Sequence, residues 1–393
     1  MAKRGQGEGS ISKRPDGTWW ARITVGKDAD GKQKRRAFYG KTRKEVQEKL
    51  TAALNEVNNG TYIEPTRMTV EQWMNTWLKE YNRNVVKAST FYRNYMTIQK
   101  HVMPKLGIYK LRELRKDMIQ KFVNQLLDEG YKASTVSVIY SKLHTALQQA
   151  YEDELIQKNP ATGVKMPPVI KESKKVLTPK QQKIFIEKAK LRDDDYGYLY
   201  ILLIATGLRI GEALSLTWDD IDFKEQSLSV NKTKAIVKDV YNKDSQSVGT
   251  TLPKTRTSIR KIPLLPSVIS MLKKLEQERE TRKHKFNNKY LSDFEEKRLI
   301  FCTYKGTYLE ATRAGRHLKT MLKDCGIQDV ENYGLHSLRH TFATRGLEQG
   351  VELKVMQEFL GHTKINMTAD IYTHVLSDKK NESMMKLQDT VNL

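Results

Sequence analysis

Three short segments in the C-terminal half carry residues suited to one kind of chemistry. Ala205-Thr206-Gly207-Leu208-Arg209-Ile210-Gly211-Glu212 sets an arginine just after a glycine turn, at the start of a new helix. Leu335-His336-Ser337-Leu338-Arg339-His340-Thr341 puts His336 and Arg339 at i, i+3, on one helix face. Leu360-Gly361-His362 ends a helix on glycine, and Tyr372 follows ten residues after His362. Arginines and histidines are the side chains that handle a phosphodiester. A guanidinium can grip two non-bridging oxygens at once, which an ammonium does poorly. A histidine titrates near neutral pH, so it can donate a hydrogen bond or move a proton.

Each residue also has a plainer reading. Arg209 alone fits equally well as a structural ion pair with Glu212 or Asp220. His336 and His340 stand i, i+4 like two zinc ligands. The helical metalloprotease motif needs Glu after the first His, however, and Ser337 stands there, so no metal is expected. Tyr372 is one of 18 tyrosines, and a lone tyrosine usually belongs to a core or a surface.

The elements that must position these residues can be read from the pattern. From Thr178-Pro179-Lys180-Gln181, an N-cap with proline at N1, the chain is mainly helical to its end. One β region interrupts it, at Ser227 to Val230, Lys234 to Tyr241 and Ser258 to Leu264. Upstream, Thr69 and Gln72 form a capping box, and helices follow at about 89–102, 115–129 and 134–154. Trp73, Trp77 and Tyr81 recur at i, i+4, i+8 and read as core, as do Val138, Ile139, Leu143, Leu147 and Tyr151. The N-terminal segment opens with a strand at Gly17 to Val25, after the turn at Asp16-Gly17. A basic strand follows at Lys32 to Gly40, then a helix capped by Thr42 and Glu45. The expected fold is therefore multidomain and mainly α with β. A small N-terminal three-stranded β-sheet plus helix spans 1–64, an all-α unit 65–168, and an α+β domain with a C-terminal tail 169–393.

Charge bounds the partner. The chain carries 69 Lys and Arg against 46 Asp and Glu, a net +23. Fourteen of those cations fall in the first fifty residues, against six acids. Such an excess calls for a polyanion. The longest apolar run, near Tyr198 to Ala205, is too short to span a bilayer. The first residues lack a secretory h-region. With two cysteines, neither a disulfide framework nor a zinc cluster can be assembled. A cytoplasmic, nucleoid-associated protein is expected. The N-terminal sheet, with aromatic residues among its cations, suits a DNA groove. Trp19, Arg22, Lys34, Arg35 and Arg36 are its candidate contacts, and Lys87 and Arg93 those of the helical unit.

The motifs "TGLRIGEALSLTWDDID", "HSLRHTFAT" and "LGH…Y" resemble those of the tyrosine recombinases, specifically the integrases of phages and conjugative transposons. Residues 177–376 carry the resemblance most strongly. The helical unit is similar to that family's core-site-binding domain and the first 65 residues to its arm-site-binding domain. The family pattern implies six catalytic residues here: Arg209, Lys254, His336, Arg339, His362 and Tyr372 as nucleophile. Lys254 sits at a hairpin tip in Leu252-Pro253-Lys254-Thr255-Arg256, where it could protonate the departing 5′-oxygen. Lys232, Lys234, Arg256 and Lys261 lie close by as alternatives. A tyrosine, with pKa ~10, needs neighbouring cations to become a nucleophile.

The resemblance implies a site-specific recombinase that integrates and excises a mobile element through a 3′-phosphotyrosine and a Holliday junction, without metal, ATP or cofactor. It implies a homotetramer on double-stranded DNA carrying core and arm sites. An excisionase and a host DNA-bending protein are further expected partners, and the tail from Ser377 is expected to pack on a neighbouring protomer. The rival readings are a type IB-like topoisomerase and a catalytically silent architectural protein. The stretch from Lys232 to Thr251 reads as a β insertion that touches DNA or a neighbour.

Overall fold

The computed structural model describes residues 9–27, 31–59, 67–170, 175–192, 194–238, 240, 246–251, 259–285, 298–303 and 305–372. The chain divides into two compact units, Met1–Ile170 and Lys171–Leu393.

The first unit opens with an antiparallel sheet, β1 (Ser10–Lys13), β2 (Trp19–Lys27) and β3 (Gln33–Gly40), followed by α1 (Arg43–Asn58). The period of two divides the sheet cleanly. Ala21 and Ile23 are buried against Val46 and Leu50 of α1, and Trp19, Val25 and Phe38 pack beside them. Trp20 and Arg22 therefore point to the opposite face, where Trp20 pairs with Tyr39. Thr42 caps α1 through the Glu45 backbone N–H, while the Glu45 carboxylate accepts from Lys41 and not from the cap residue.

The rest of that unit is helical: α2 (Val70–Thr76), α3 (Ala88–Thr97), α4 (Met103–Leu106), α5 (Lys116–Asp128) and α6 (Ala133–Glu152). The Thr69–Gln72 capping box forms as expected. Helices α2 and α3 each run on into a π-helical stretch, Trp77–Asn82 and Ile98–Val102. Trp73 and Trp77 are core, but Tyr81 is exposed and donates its hydroxyl to Asp153. On α6 the buried stripe is Val136, Ile139, Leu143, Leu147 and Ala150, whereas Val138 and Tyr151 are exposed. At its C-terminal end the stripe takes the small Ala150 and not the bulkier Tyr151, and at its start it takes Val136 and not Val138.

In the second unit, α7 (Pro179–Lys190) begins with the Thr178–Gln181 capping box. Helix α8 (Asp195–Thr206) is apolar nearly all round, as a fully buried helix must be. Leu199, Tyr200, Leu202 and Leu203 lie at its centre. It ends at Gly207 with φ 65°. A Cβ there would lie 2.4 Å from Phe342, so the turn requires glycine on two counts. The one-turn helix α9 (Ile210–Ala213) follows. An antiparallel sheet has the order β4 (Ile221–Asp222), β5 (Ser227–Val230), β8 (Arg260–Pro263).

The insertion is a separate two-stranded ribbon, β6 (Thr233–Lys238) with β7 (Gln246–Thr251). Its second strand was not legible in the sequence. Then come α10 (Pro266–Lys285), α11 (Ala311–Asp324), α12 (Leu335–Glu348), α13 (Leu353–Leu360) and α14 (Asn366–Tyr372). Helix α12 packs against α8, α13 and α14. Among the described residues, no helix is long and apolar enough to cross a membrane.

Candidate active site

Two left-handed glycine turns build the site. Gly207 ends α8 and Gly361 (φ 60°) ends α13. Arg339, 2 % exposed on α12, bridges them: its Nη1 donates to Gly207 O at 2.7 Å and its Nη2 to Leu360 O at 2.6 Å. Arg209 stands at the N-cap of α9, where its backbone N–H and Nη1 both donate to the Glu212 carboxylate at 2.9 Å. Its Nη2 reaches Gly361 O at 3.1 Å. From β8, Arg260 donates through Nε to Phe359 O at 2.7 Å and through Nη2 to Glu212 at 2.9 Å. Three successive carbonyls at the C-terminal end of α13 thus each receive a different arginine. A helix C-terminus is the negative end of the dipole, which favours that arrangement.

Among the described residues, the buried Glu212 carboxylate pairs with both Arg209 and Arg260, and its charge is also felt by Arg339. Burial, reinforced by the positive charges of Arg209 and Arg260 against the opposing pull of Glu212, pushes Arg339 down to about 9. Burial alone would raise Glu212. The hydrogen bond and charge of Arg260, with those of Arg209, hold it below the ordinary carboxylate value instead. The ion-pair reading of Arg209 is correct for Glu212 but not for Asp220, which pairs with Lys232 at 2.7 Å.

His362 directly follows Gly361 and is buried. Its Nδ1 lies 2.9 Å from the hydroxyl of Thr368, and its backbone N–H and C=O are both bonded to Gln357. His336 is exposed on the first turn of α12, one turn before Arg339, with its ring edge-on to His340 at 6.3 Å between centroids. The backbone of Tyr372 closes α14. Lys254 and the side chain of Tyr372 lie outside the described residues.

Of the alternatives to Lys254, Lys232 and Lys234 have other partners, Lys261 is exposed on β8, and Arg256 lies outside the described residues. Lys232 is held by Asp220 and Thr217, and Lys234 by Leu309 O and the Tyr308 ring. Burial lowers the Lys234 pKa, against the charge of Glu310.

On the N-terminal sheet, the expectation for Trp19 needs correction. It packs against α1, because it shares parity with Ala21 and Ile23. Trp20 takes the open face instead, with Arg22 stacked on it at 4.7 Å and Arg14 over Tyr39 at 5.4 Å. Lys34 and Arg35 are exposed, and Arg36 stacks over Phe38 at 4.8 Å. Lys87 and Arg93 are exposed on the helical bundle. Sequence reasoning paired Glu212 with Arg209 but missed Arg260 as its second partner, and nothing in the spacing pointed to Arg260.

Comparison with known proteins gives the family and the fold. Residues 175–379 match the phage integrase family, and residues 69–127 match the phage integrase N-terminal SAM-like domain. A protein named tyrosine recombinase XerC-like, from Caldanaerobacter subterraneus subsp. tengcongensis, is 34% identical over 379 residues, covering 93% of this chain and 95% of that protein. The fold is similar to that of the Tn1549 transposon integrase in complex with a circular intermediate DNA, at TM-score 0.67 and 23% identity over 81% of this chain and 99% of that one. It is also similar to lambda integrase, solved as a tetramer bound to a Holliday junction, at TM-score 0.56 and 18% identity over 94% and 96% of the two chains. The chain belongs to the phage integrase family and is a site-specific tyrosine recombinase.

Proposed function

We propose that Arg209, Arg339, His336, His362, Lys254 and Tyr372 carry out strand cleavage and rejoining, and that the chain thereby integrates and excises a mobile DNA element. The observation that carries this reading is the convergence of Arg209, Arg260 and Arg339 on three successive carbonyls at the end of α13. Attack by the Tyr372 oxygen forms a bond to phosphorus and breaks the bond to the 5′-oxygen. Negative charge grows on the non-bridging oxygens as this happens. Arg209 and Arg339, already oriented by fixed carbonyls, stabilise that charge without reorganising. His336 and His362 donate further hydrogen bonds or assist proton transfer. The proton on the leaving 5′-oxygen comes from Lys254. Two anchors support that choice: Thr251 pairs with Thr233, whose hydroxyl abuts Gly211 of α9, and Arg260 binds Glu212 of the same helix. The described residues on either side of the segment, Thr251 and Arg260, are thus both tied to the strand or helix next to Arg209. A second strand's 5′-hydroxyl reverses the reaction, so phosphodiester bonds are conserved and no ATP is consumed.

The domain plan follows: an arm-site unit at 1–64, a core-site unit at 65–168 and a catalytic domain at 169–393. The open face of the N-terminal sheet, with Arg22, Arg35, Trp20 and Tyr39, binds arm DNA. Lys87 and Arg93 contact core DNA. Four protomers act on two duplexes through a Holliday junction, as the lambda tetramer suggests. An excisionase and a host DNA-bending protein bias the direction. The test is strand exchange between two duplexes carrying the element's joined ends and its target. Recombinant products support the reading. Relaxation of supercoiled DNA without exchange supports the topoisomerase alternative.

A further inference from the structure

We infer that Thr368 is a positioning residue for His362, so that the helix carrying Tyr372 also aims the histidine. Thr368 is completely buried in α14, one helical turn before Tyr372. Its hydroxyl lies 2.9 Å from His362 Nδ1, and the histidine is itself buried at 8 % exposure. The histidine backbone is fixed independently, by Gln357 on α13. What remains to be set is the rotation of the ring and the nitrogen that carries its proton. A neutral imidazole has one donor and one acceptor, and the partner on one nitrogen decides the role of the other. With Nδ1 engaged by Thr368, contact with a phosphate falls to Nε2. A β-branched side chain in a helix has few χ1 rotamers, so the Thr368 hydroxyl is placed by the helix backbone. Seating of α14 therefore delivers the nucleophile and orients His362 in one event. This inference rests on His362 acting at the phosphate, as proposed above.

The test compares Thr368→Val, which keeps shape and removes the hydroxyl, with Thr368→Ser, which keeps the hydroxyl. Two quantities are measured: the rate of covalent complex formation on nicked DNA, and the 15N shifts of the His362 ring, assigned by loss of its signals in His362→Ala. Thr368→Val is expected to slow cleavage about tenfold, in the range typical of groups that orient a functional histidine. It should also shift the Nδ1 resonance, while DNA affinity is unchanged. Thr368→Ser should restore most of the rate and the resonance. In a His362→Ala background, Thr368→Val should add no further loss. Unchanged Nδ1 and Nε2 signals in Thr368→Val, or an equal loss of rate with and without His362, would overturn the inference. If wild type forms no adduct at all, the catalytic reading fails instead, and the ring shifts still decide whether Thr368 orients His362. Should Thr368→Val fail to fold, Thr368→Ala and Thr368→Ser are compared in its place.

Discussion

Arg209 and Arg339, on different helices, donate to adjacent carbonyls: Gly361 O at 3.1 Å and Leu360 O at 2.6 Å. The two guanidiniums are therefore held against one helix end by hydrogen bonds within the chain. This preorganisation is what transition-state stabilisation of a phosphorane needs.

Arg209→Lys tests the forked geometry. One ammonium cannot span Glu212, Gly361 O and a phosphate together. The rate of covalent complex formation is expected to fall about 10²–10³-fold, the usual loss on removing one such donor. DNA affinity in a mobility-shift titration should change little. A lysine variant with near wild-type cleavage would remove Arg209 from the chemistry.

Glu212 should matter for stability in a pH-dependent way. It is the shared buried partner of two arginines, so Glu212→Ala leaves unmatched positive charge and is expected to cost about 3–5 kcal/mol at pH 7. Its folded pKa lies below the ordinary 4.5. The charged carboxylate's contribution is thus complete above that value and is lost as pH falls through the lower, folded one. Denaturant titrations should show the wild-type advantage shrinking below about pH 4.5. An advantage that stays constant from pH 7 into that range would contradict the assignment.

Gly207→Ala should damage both stability and cleavage. The residue has φ 65°, and an added Cβ would stand 2.4 Å from Phe342, displacing the carbonyl that orients Arg339. Gly326 is the control: φ is +74°, but a Cβ would meet nothing within 4 Å. Both alanine variants carry backbone strain of about 1–3 kcal/mol. Only Gly207→Ala is expected to slow covalent complex formation. Equal cleavage by the two variants would show that the turn serves stability alone.

The segments proposed as catalytic could be picked out in the sequence because each is short and local. A glycine turn sets Arg209, an i, i+3 pair sets His336 and Arg339, and a glycine C-cap precedes His362. The cluster that joins them could not, since Arg260 meets Glu212 and Phe359 O only through tertiary packing. Capping boxes at Thr69 and Thr178 marked helix starts correctly, because a cap is a four-residue event. The strand β7 was missed: Gln246-Ser247-Val248-Gly249-Thr250-Thr251 has little apolar alternation, and its register comes from pairing with β6. Trp19 was named as a candidate DNA contact, but it shares parity with Ala21 and Ile23 and packs toward α1.

Trp19 and Trp20 should separate stability from DNA binding. Trp19→Ala removes packing against α1 and should lower the midpoint of thermal unfolding. Trp20→Ala and Arg22→Ala should leave that midpoint nearly unchanged and weaken binding to DNA from the element's ends. Arg22→Ala should also reduce the slope of log affinity against log salt by about 1 if it contacts a phosphate. The reverse pattern would put DNA on the face that α1 covers.

The central claim is tested most directly by covalent trapping. Protein is mixed in EDTA with nicked DNA from the element's ends, the nick blocking religation, and quenched with detergent. DNA is expected to migrate with the wild-type chain and not with Tyr372→Phe. An adduct that persists in Tyr372→Phe would contradict the account by moving the nucleophile elsewhere.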